Sequence, residues 1–117
     1  MATINLTKGG FLRRVADYEN NPREWKFLGS RPAVIDFYAS WCGPCKMLGP
    51  VIEELSNEYT DIKFAKVNVD DNMDLAEKFS IMSIPQVYMF KDGEVIGKFG
   101  GYRDKGGVKA FIDQTIA

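Results

Sequence analysis

The sequence contains no histidine among its 117 residues. Histidine is the side chain that titrates near neutral pH and the commonest metal ligand in proteins. A Ser-His-Asp or Cys-His catalytic site is therefore excluded. Cysteine is also scarce, with two residues, whereas a structural zinc site normally takes four Cys or His ligands. We expect no metal site within the chain, although a metal shared between two chains stays open.

Strong charge and long apolar stretches are absent too. The formal net charge is −1, so we expect neither nucleic-acid binding nor membrane-surface binding. The longest uncharged stretch near the middle of the chain, residues 79–90, is far shorter than the ~20 residues of a membrane-spanning helix. The first residues do not resemble a secretory signal. We expect a soluble cytoplasmic protein; a periplasmic or otherwise exported protein whose leader is missing from this sequence stays open.

What the sequence does contain is enough apolar residues for one core, 45% of the chain, and an alternation of strand and helix patterns. Strands are predicted at residues 3–6, 33–39, 62–69, 86–90 and 94–99. Helices are predicted from about residue 7, over 47–59 with Leu48, Val51, Leu55 and Tyr59 on one face, and over 73–79 and 104–116. A loop is predicted over residues 20–32. We expect one domain, residues 1–117, of the α/β class: a three-layer α/β/α fold with a central mixed sheet of about five strands flanked by about four helices.

Both cysteines lie in the segment "SWCGPCK", which follows a buried-type strand and opens a helix. A disulfide that closes only about four residues stabilises a fold by about 2 kcal/mol, against about 3 for fifteen residues, so a structural role is weakly supported. At the first turn of a helix, free N–H groups and the helix dipole favour a thiolate at Cys42, which is the nucleophilic form. Cys45 lies three residues later on the same helix face, where it can resolve a mixed disulfide. Pro44 suits an early helical position, and Gly43 leaves Cys42 accessible.

Two features outside this segment support redox chemistry. Asp36 interrupts the apolar strand, where a buried carboxylate is costly unless it has a partner or a function. We interpret it as the proton acceptor and donor for Cys45, although a satisfied buried Asp stays open. Ile84 and Pro85 stand immediately before a strand. A trans bond is the usual state before proline, but we expect a cis bond that presents backbone groups to a substrate.

The segment "WCGPCK" and these two features resemble the thioredoxin family, and the resemblance covers nearly the whole chain. It implies a dithiol–disulfide oxidoreductase that reduces disulfides in protein substrates and binds no cofactor itself. It also implies a monomer that receives electrons from a thioredoxin reductase, an NADPH-dependent flavoprotein. A disulfide between Cys42 and Cys45 is expected in the oxidised form.

The resemblance also assigns individual residues. Lys66 corresponds to the lysine that partners Asp36, and Pro50 to a proline that kinks the helix. Trp41 corresponds to an aromatic shield beside the cysteines, and Gly100 to a glycine that lines the partner groove. The expected catalytic residues are Cys42, Cys45, Asp36 and Lys66, and the expected substrate-binding residues are Trp41, Gly43, Pro44, Ile84, Pro85 and Gly100.

Three segments depart from the family pattern: residues 20–32 are longer than usual, Gln86 stands where Thr is common, and "GGYRD" replaces a shorter "GA". These departures lie near the expected partner surface and leave the choice of partners open. The Gly43-Pro44 dipeptide favours a reductant. Two alternatives stay open: an exported relative that acts on disulfides outside the cytosol, and a binding module whose redox activity is incidental.

Overall fold

The structure is a computed structural model, and it describes residues 3–7, 32–92 and 94–117. The described elements confirm the five predicted strands and the three later helices, whereas the helix predicted from about residue 7 and the loop over residues 20–32 lie outside the described residues. In chain order the elements are β1 (Thr3–Asn5), β2 (Ala33–Tyr38), α1 (Gly43–Glu58), β3 (Lys63–Asn68), α2 (Met73–Lys78), β4 (Gln86–Lys91), β5 (Glu94–Gly100) and α3 (Lys105–Ile116).

The five strands form one mixed sheet in the order β1-β3-β2-β4-β5. Strands β1, β3 and β2 are parallel, whereas β4 runs antiparallel to β2 and β5 antiparallel to β4. The central strand β2 has residues Ala33 to Phe37 buried, because helices or loops cover both faces of a sheet that contains parallel crossovers. The uninterrupted apolar sequence of β2 therefore follows from its central place.

Helices α1 and α3 cover one face of the sheet. In α1, Leu48, Ile52 and Leu55 are fully buried, which is the i, i+4, i+7 spacing of one helix face. They pack with Val108 and Ile112 of α3 in a single apolar cluster that also includes strand residues. Outside this cluster, Lys105 of α3 forms ion pairs with two carboxylates of α1, Glu54 at 2.8 Å and Glu58 at 2.6 Å.

An aromatic cluster occupies the opposite face. Phe37 of β2 packs against the Tyr88 ring with centroids 5.4 Å apart and an interplanar angle of 76°. Phe79, at the end of α2, meets Phe90 in a similar edge-to-face contact at 5.4 Å. The Tyr88 hydroxyl donates a hydrogen bond to the Phe79 carbonyl at 3.0 Å, so this buried polar group is satisfied.

The β4–β5 connection confirms the hairpin predicted at "KDG". Lys91 pairs with Glu94, and Asp92 between them has φ of 55°, a left-handed conformation that Asp tolerates better than most residues. Within the described part of the chain, no helix is both long enough and apolar enough to cross a membrane.

Candidate active site

The Cys42 sulfur caps the N-terminus of α1. Cys42 has extended backbone angles, and its Sγ accepts a hydrogen bond from the Cys45 N–H at 3.2 Å. The Cys42 N–H donates to the Ala39 carbonyl at 3.2 Å, which fixes the turn between β2 and α1. The Cys45 N–H and the positive end of the helix dipole therefore both face the Cys42 sulfur, and this arrangement favours a negative charge on it.

Cys42 and Cys45 form a disulfide whose Cα atoms lie 5.2 Å apart, within the usual range for such bonds. The two residues are 5% and 4% exposed. Pro44 lies in the first turn of the helix, where a missing N–H removes no intrahelical bond. The pair thus occupies a regular helix start, as predicted.

Open surface surrounds the disulfide on the solvent side. Trp41 is 69% exposed, and its Nε1–H donates to Asp70 Oδ2 at 2.8 Å, which holds the ring in place. A Cβ atom built on Gly43 would meet nothing within 4 Å. The face beside Cys42 is therefore open to a large partner.

The loop before β4 lies beside the Cys42 sulfur. The Ile84–Pro85 peptide bond is cis, as predicted, and the Ile84 carbonyl oxygen lies 3.8 Å from Cys42 Sγ. The Pro85 carbonyl accepts a hydrogen bond from the Gly101 N–H at 2.9 Å. Gly101 has φ of 81°, a conformation that favours glycine. Gly100, in contrast, lies within β5 and pairs with Gln86.

Asp36 is buried in β2, with 2% of its surface exposed. Burial raises the pKa of its carboxyl from 3.8 to about 7, and the positive charge of Lys66 opposes that rise. Lys66 is the register partner of Asp36 on β3. Among the described residues no ion pair joins the two within 4 Å; the Lys66 Nζ instead lies 5.6 Å from the centre of the Tyr38 ring.

A cavity of about 310 Å³ connects Asp36 with Cys45. It runs under the first turns of α1, and Lys66 and Tyr38 form part of its wall. The volume is sufficient for several water molecules, each of which occupies about 30 Å³ in the liquid. The cavity therefore leaves room for water between Asp36 and Cys45.

A family model for thioredoxin matches residues 12–114 of the chain. The chain belongs to the thioredoxin family.

Three relatives illustrate the extent of the match. A thioredoxin from Borreliella burgdorferi is 48% identical over 85 residues, which cover 72% of this chain and 72% of that protein. Thioredoxin C-2 from Corynebacterium nephridii is 42% identical over 114 residues, covering 97% and 95% respectively. A thioredoxin from Alicyclobacillus acidocaldarius is 36% identical over 116 residues, covering 98% and 99%.

Membership of the thioredoxin family defines the chemistry. Thioredoxins are protein-disulfide reductases, and the adjacent Cys42–Cys45 pair fits that activity. The chain is a thiol–disulfide oxidoreductase with a redox-active cysteine pair. Disulfide-containing substrates and a reductase are the partners of thioredoxins in general.

The structure brings most of the sequence-predicted site residues together. Cys45, Asp36 and Lys66 line one cavity, and Trp41 and the Ile84–Pro85 loop flank Cys42 at the surface. The sequence interpretation did not include Asp70 or Gly101. The sequence does mark Gly101 as part of the doublet "GG" at residues 100–101. Only the backbone angles show that Gly101, and not Gly100, takes the left-handed conformation.

Proposed function

We propose that this member of the thioredoxin family reduces disulfides in other proteins with Cys42 as the attacking residue and Cys45 as the resolving residue. The observation that carries the proposal is the position of the Cys42 sulfur as the cap of α1, where it accepts the Cys45 N–H. A thiolate at this atom gains a hydrogen bond to a backbone N–H and a favourable dipole. Cys45, one turn into the helix, lacks the capping position.

The reaction then proceeds in two exchanges. The Cys42 thiolate attacks one sulfur of the substrate disulfide, forming a mixed disulfide, while the other substrate sulfur leaves as a thiolate and takes a proton from solvent. The Cys45 thiol next gives its proton to Asp36 and attacks the Cys42 sulfur. The Cys42–Cys45 disulfide forms, the second substrate sulfur leaves, and two electrons have passed to the substrate.

Asp36 is suited to accept this proton near neutral pH. Its pKa of about 7, raised by burial, makes its conjugate base strong enough to draw a proton from a thiol, whose ordinary pKa is about 8.5. Lys66, which opposes that rise, keeps part of the Asp36 population ionised. We assign both residues to the catalytic set together with the two cysteines.

Substrate recognition falls to the surface around Cys42. We propose that an extended segment of the substrate lies against Trp41, Gly43 and Pro44 on one side and against Ile84, Pro85 and Gly100 on the other. The open space at Gly43 and the exposed Trp41 ring support this placement. The neighbouring Gly101 belongs with this set because its N–H holds the Pro85 carbonyl.

The cellular setting follows from the family. We propose that residues 1–117 act as a single monomeric domain in the cytoplasm and that an NADPH-dependent flavoprotein, a thioredoxin reductase, returns electrons to the Cys42–Cys45 disulfide. The placement of both cysteines at one helix start, with open surface on the solvent side, supports docking of a protein reductant at the same face as the substrate.

The test of the cysteine roles is a trapping experiment with insulin, whose interchain disulfides are a suitable protein substrate. Cys45→Ser should accumulate a mixed disulfide with an insulin chain, visible by mass spectrometry and released by dithiothreitol. Cys42→Ser is the matched control and should trap far less. Equal trapping by both variants, or trapping by Cys42→Ser alone, would contradict the assignment. Wild-type protein that fails to reduce insulin would contradict the proposed activity on protein substrates.

A further inference from the structure

A second cavity, of about 260 Å³, lies on the side of Asp36 that faces β1. Its wall includes Thr3 of β1, Lys66 of β3, and Pro50 and Glu53 of α1. Lys66 and Asp36 belong to the walls of both this cavity and the one that contains Cys45. The buried carboxyl therefore stands between two hollow regions.

Three of the residues that line this second cavity carry a buried side-chain oxygen that has no hydrogen-bond partner among the described residues: Thr3 Oγ1, Asp36 Oδ1 and Glu53 Oε1. In the described part of the chain, no other buried side-chain oxygen or nitrogen lacks a partner. Thr3 is 8% exposed and Asp36 is 2% exposed. Within the described residues, the unsatisfied buried side-chain groups thus belong to residues around one cavity, contributed by β1, β2 and α1.

Buried polar groups in folded proteins are almost always hydrogen-bonded to protein or to ordered water. A buried water needs two to four polar partners and about 30 Å³ of space. The second cavity supplies three such partners and enough volume for more than one molecule.

We propose that ordered water in this cavity hydrogen-bonds Thr3 Oγ1, Asp36 Oδ1 and Glu53 Oε1, and that this water is the route by which Asp36 exchanges its proton with solvent. Thr3 and Glu53 are then positioning residues of the redox reaction. This inference rests on the proposed role of Asp36 as proton acceptor for Cys45. The step moves a proton only: Asp36 releases the proton received from Cys45 to water, and the water passes a proton to solvent past Glu53.

The location of the cavity would let Asp36 release its proton while a substrate is bound. A docked substrate covers the face around Cys42 while the second exchange takes place, so proton release through that face is hindered. The Thr3–Glu53 side lies under the middle of α1, and Glu53 is only partly buried. Among the described residues, the titratable or charged groups that line these two cavities with Asp36 are Tyr38 on β2, Lys66 on β3, and Cys45, Lys46 and Glu53 on α1.

The first test compares Thr3→Val, which removes the hydroxyl at nearly constant shape, with Thr3→Ser, which keeps it. Loss of water from the cavity removes a hydrogen bond from the ionised carboxylate, so Thr3→Val should raise the pKa of Asp36. A rise of one pKa unit lowers the ionised fraction near pH 7 about fivefold. Asp36 is followed by NMR titration of its ¹³C-labelled carboxyl, and the resolution rate is measured across pH by rapid mixing.

Thr3→Val should resolve the mixed disulfide about fivefold more slowly than wild type near neutral pH and recover at alkaline pH. Thr3→Ser should match wild type in both readouts. Thr115→Val, the same change at a half-buried residue of α3, controls for loss of a hydroxyl elsewhere and should also match wild type. The proposal is overturned if Thr3→Val shifts neither readout, or if Thr3→Ser shifts them as far as Thr3→Val.

The second test compares Glu53→Leu with Glu54→Leu. Leu keeps much of the side-chain volume but lacks the acceptor oxygen that positions the water, so Glu53→Leu should slow resolution several-fold near neutral pH, whereas Glu53→Gln, which keeps an Oε1 acceptor, should not. Glu54 is the adjacent residue on the outer side, paired with Lys105, and its substitution should leave the rate unchanged. Equal rates for the two Leu variants would overturn the relay.

A direct observation of water completes the design. Magnetisation transfer from water to Thr3 in the wild-type protein should reveal bound water with a long residence time, and Thr3→Val should lose it. A dry cavity in the wild type would overturn the proposal. Insulin reduction by the wild type and trapping by Cys45→Ser test the proposed function separately. If the wild type reduces insulin but the Thr3 and Glu53 variants resolve the mixed disulfide at the wild-type rate, this inference alone is refuted.

Discussion

Replacing Asp36 with Asn should stabilise the folded protein by an amount that grows with pH. Burial raises the pKa of this carboxyl from 3.8 to about 7, and each pKa unit corresponds to about 1.36 kcal/mol. Between these two values the folded protein binds more protons than the unfolded chain, so its stability falls as pH rises. Ionisation of Asp36 costs the folded protein about 4 kcal/mol of stability above pH 7. This cost is absent below the pKa of Asp36 in the unfolded chain.

Asn cannot ionise, so Asp36→Asn escapes this loss. The gap in unfolding free energy between the variant and the wild type should be near zero at about pH 4 and approach about 4 kcal/mol at about pH 8.5. That is a large change for a domain whose total stability is typically about 5–15 kcal/mol. Guanidinium denaturation of the oxidised proteins, followed by far-UV circular dichroism at several pH values, measures the gap.

The exposed Asp61 provides the matched control. Asp61→Asn should change stability by less than about 0.5 kcal/mol at every pH, as for most surface substitutions. A gap for Asp36→Asn that is the same at all pH values, or below about 1 kcal/mol at alkaline pH, would refute the desolvation reasoning. The same substitution removes the proposed proton acceptor, so resolution of the mixed disulfide should be slower in the more stable variant.

Three further substitutions test the packing around the site. Phe37→Ala empties a fully buried ring position in the aromatic cluster and should lower the unfolding free energy by about 3–5 kcal/mol; a loss below 1 kcal/mol in denaturation would contradict that burial. Gly97→Ala places a Cβ 2.8 Å from Thr115 Cγ2 and should destabilise by about 1–3 kcal/mol, and adding Thr115→Ala should recover much of the loss. Asp104 caps α3 by accepting a backbone N–H at 2.8 Å, so Asp104→Ala should lower the melting temperature through a loss of about 1 kcal/mol, whereas Asp104→Asn should not.

Strands β2 and β4 were predictable because each is a short, largely apolar run bounded by turn residues. The hairpin at "KDG" and the helix start at the cysteine pair followed from local chemistry in the same way. The buried face of α1 was predicted only in part. The apolar face of this helix was predicted to include Val51, but the structure buries Ile52 fully and Val51 only partly. Spacings of three and four residues both fit a 3.6-residue period, so the sequence alone does not distinguish the two positions.

Some residues of the site could be predicted from the sequence, and others could not. Cys42 and Cys45 are neighbours in sequence, and an Asp within an apolar strand is conspicuous by itself. Thr3 and Glu53 carry no such signal, because their relation to Asp36 depends on β1 pairing with β3 and on how α1 lies across the sheet. Contacts of this kind join elements that are distant in the chain. Neither hydrophobic periodicity nor a sequence motif predicts them.

The cap of α1 also makes the site observable. The Cys45 N–H points at the Cys42 sulfur across 3.2 Å, so its hydrogen bond strengthens when that sulfur is a thiolate and weakens when the sulfur is bonded to a partner. The NMR resonance of this single amide should therefore distinguish the dithiol, the mixed disulfide and the closed disulfide. The bonding state of the Cys42 sulfur during turnover can thus be followed at one backbone amide without an added dye.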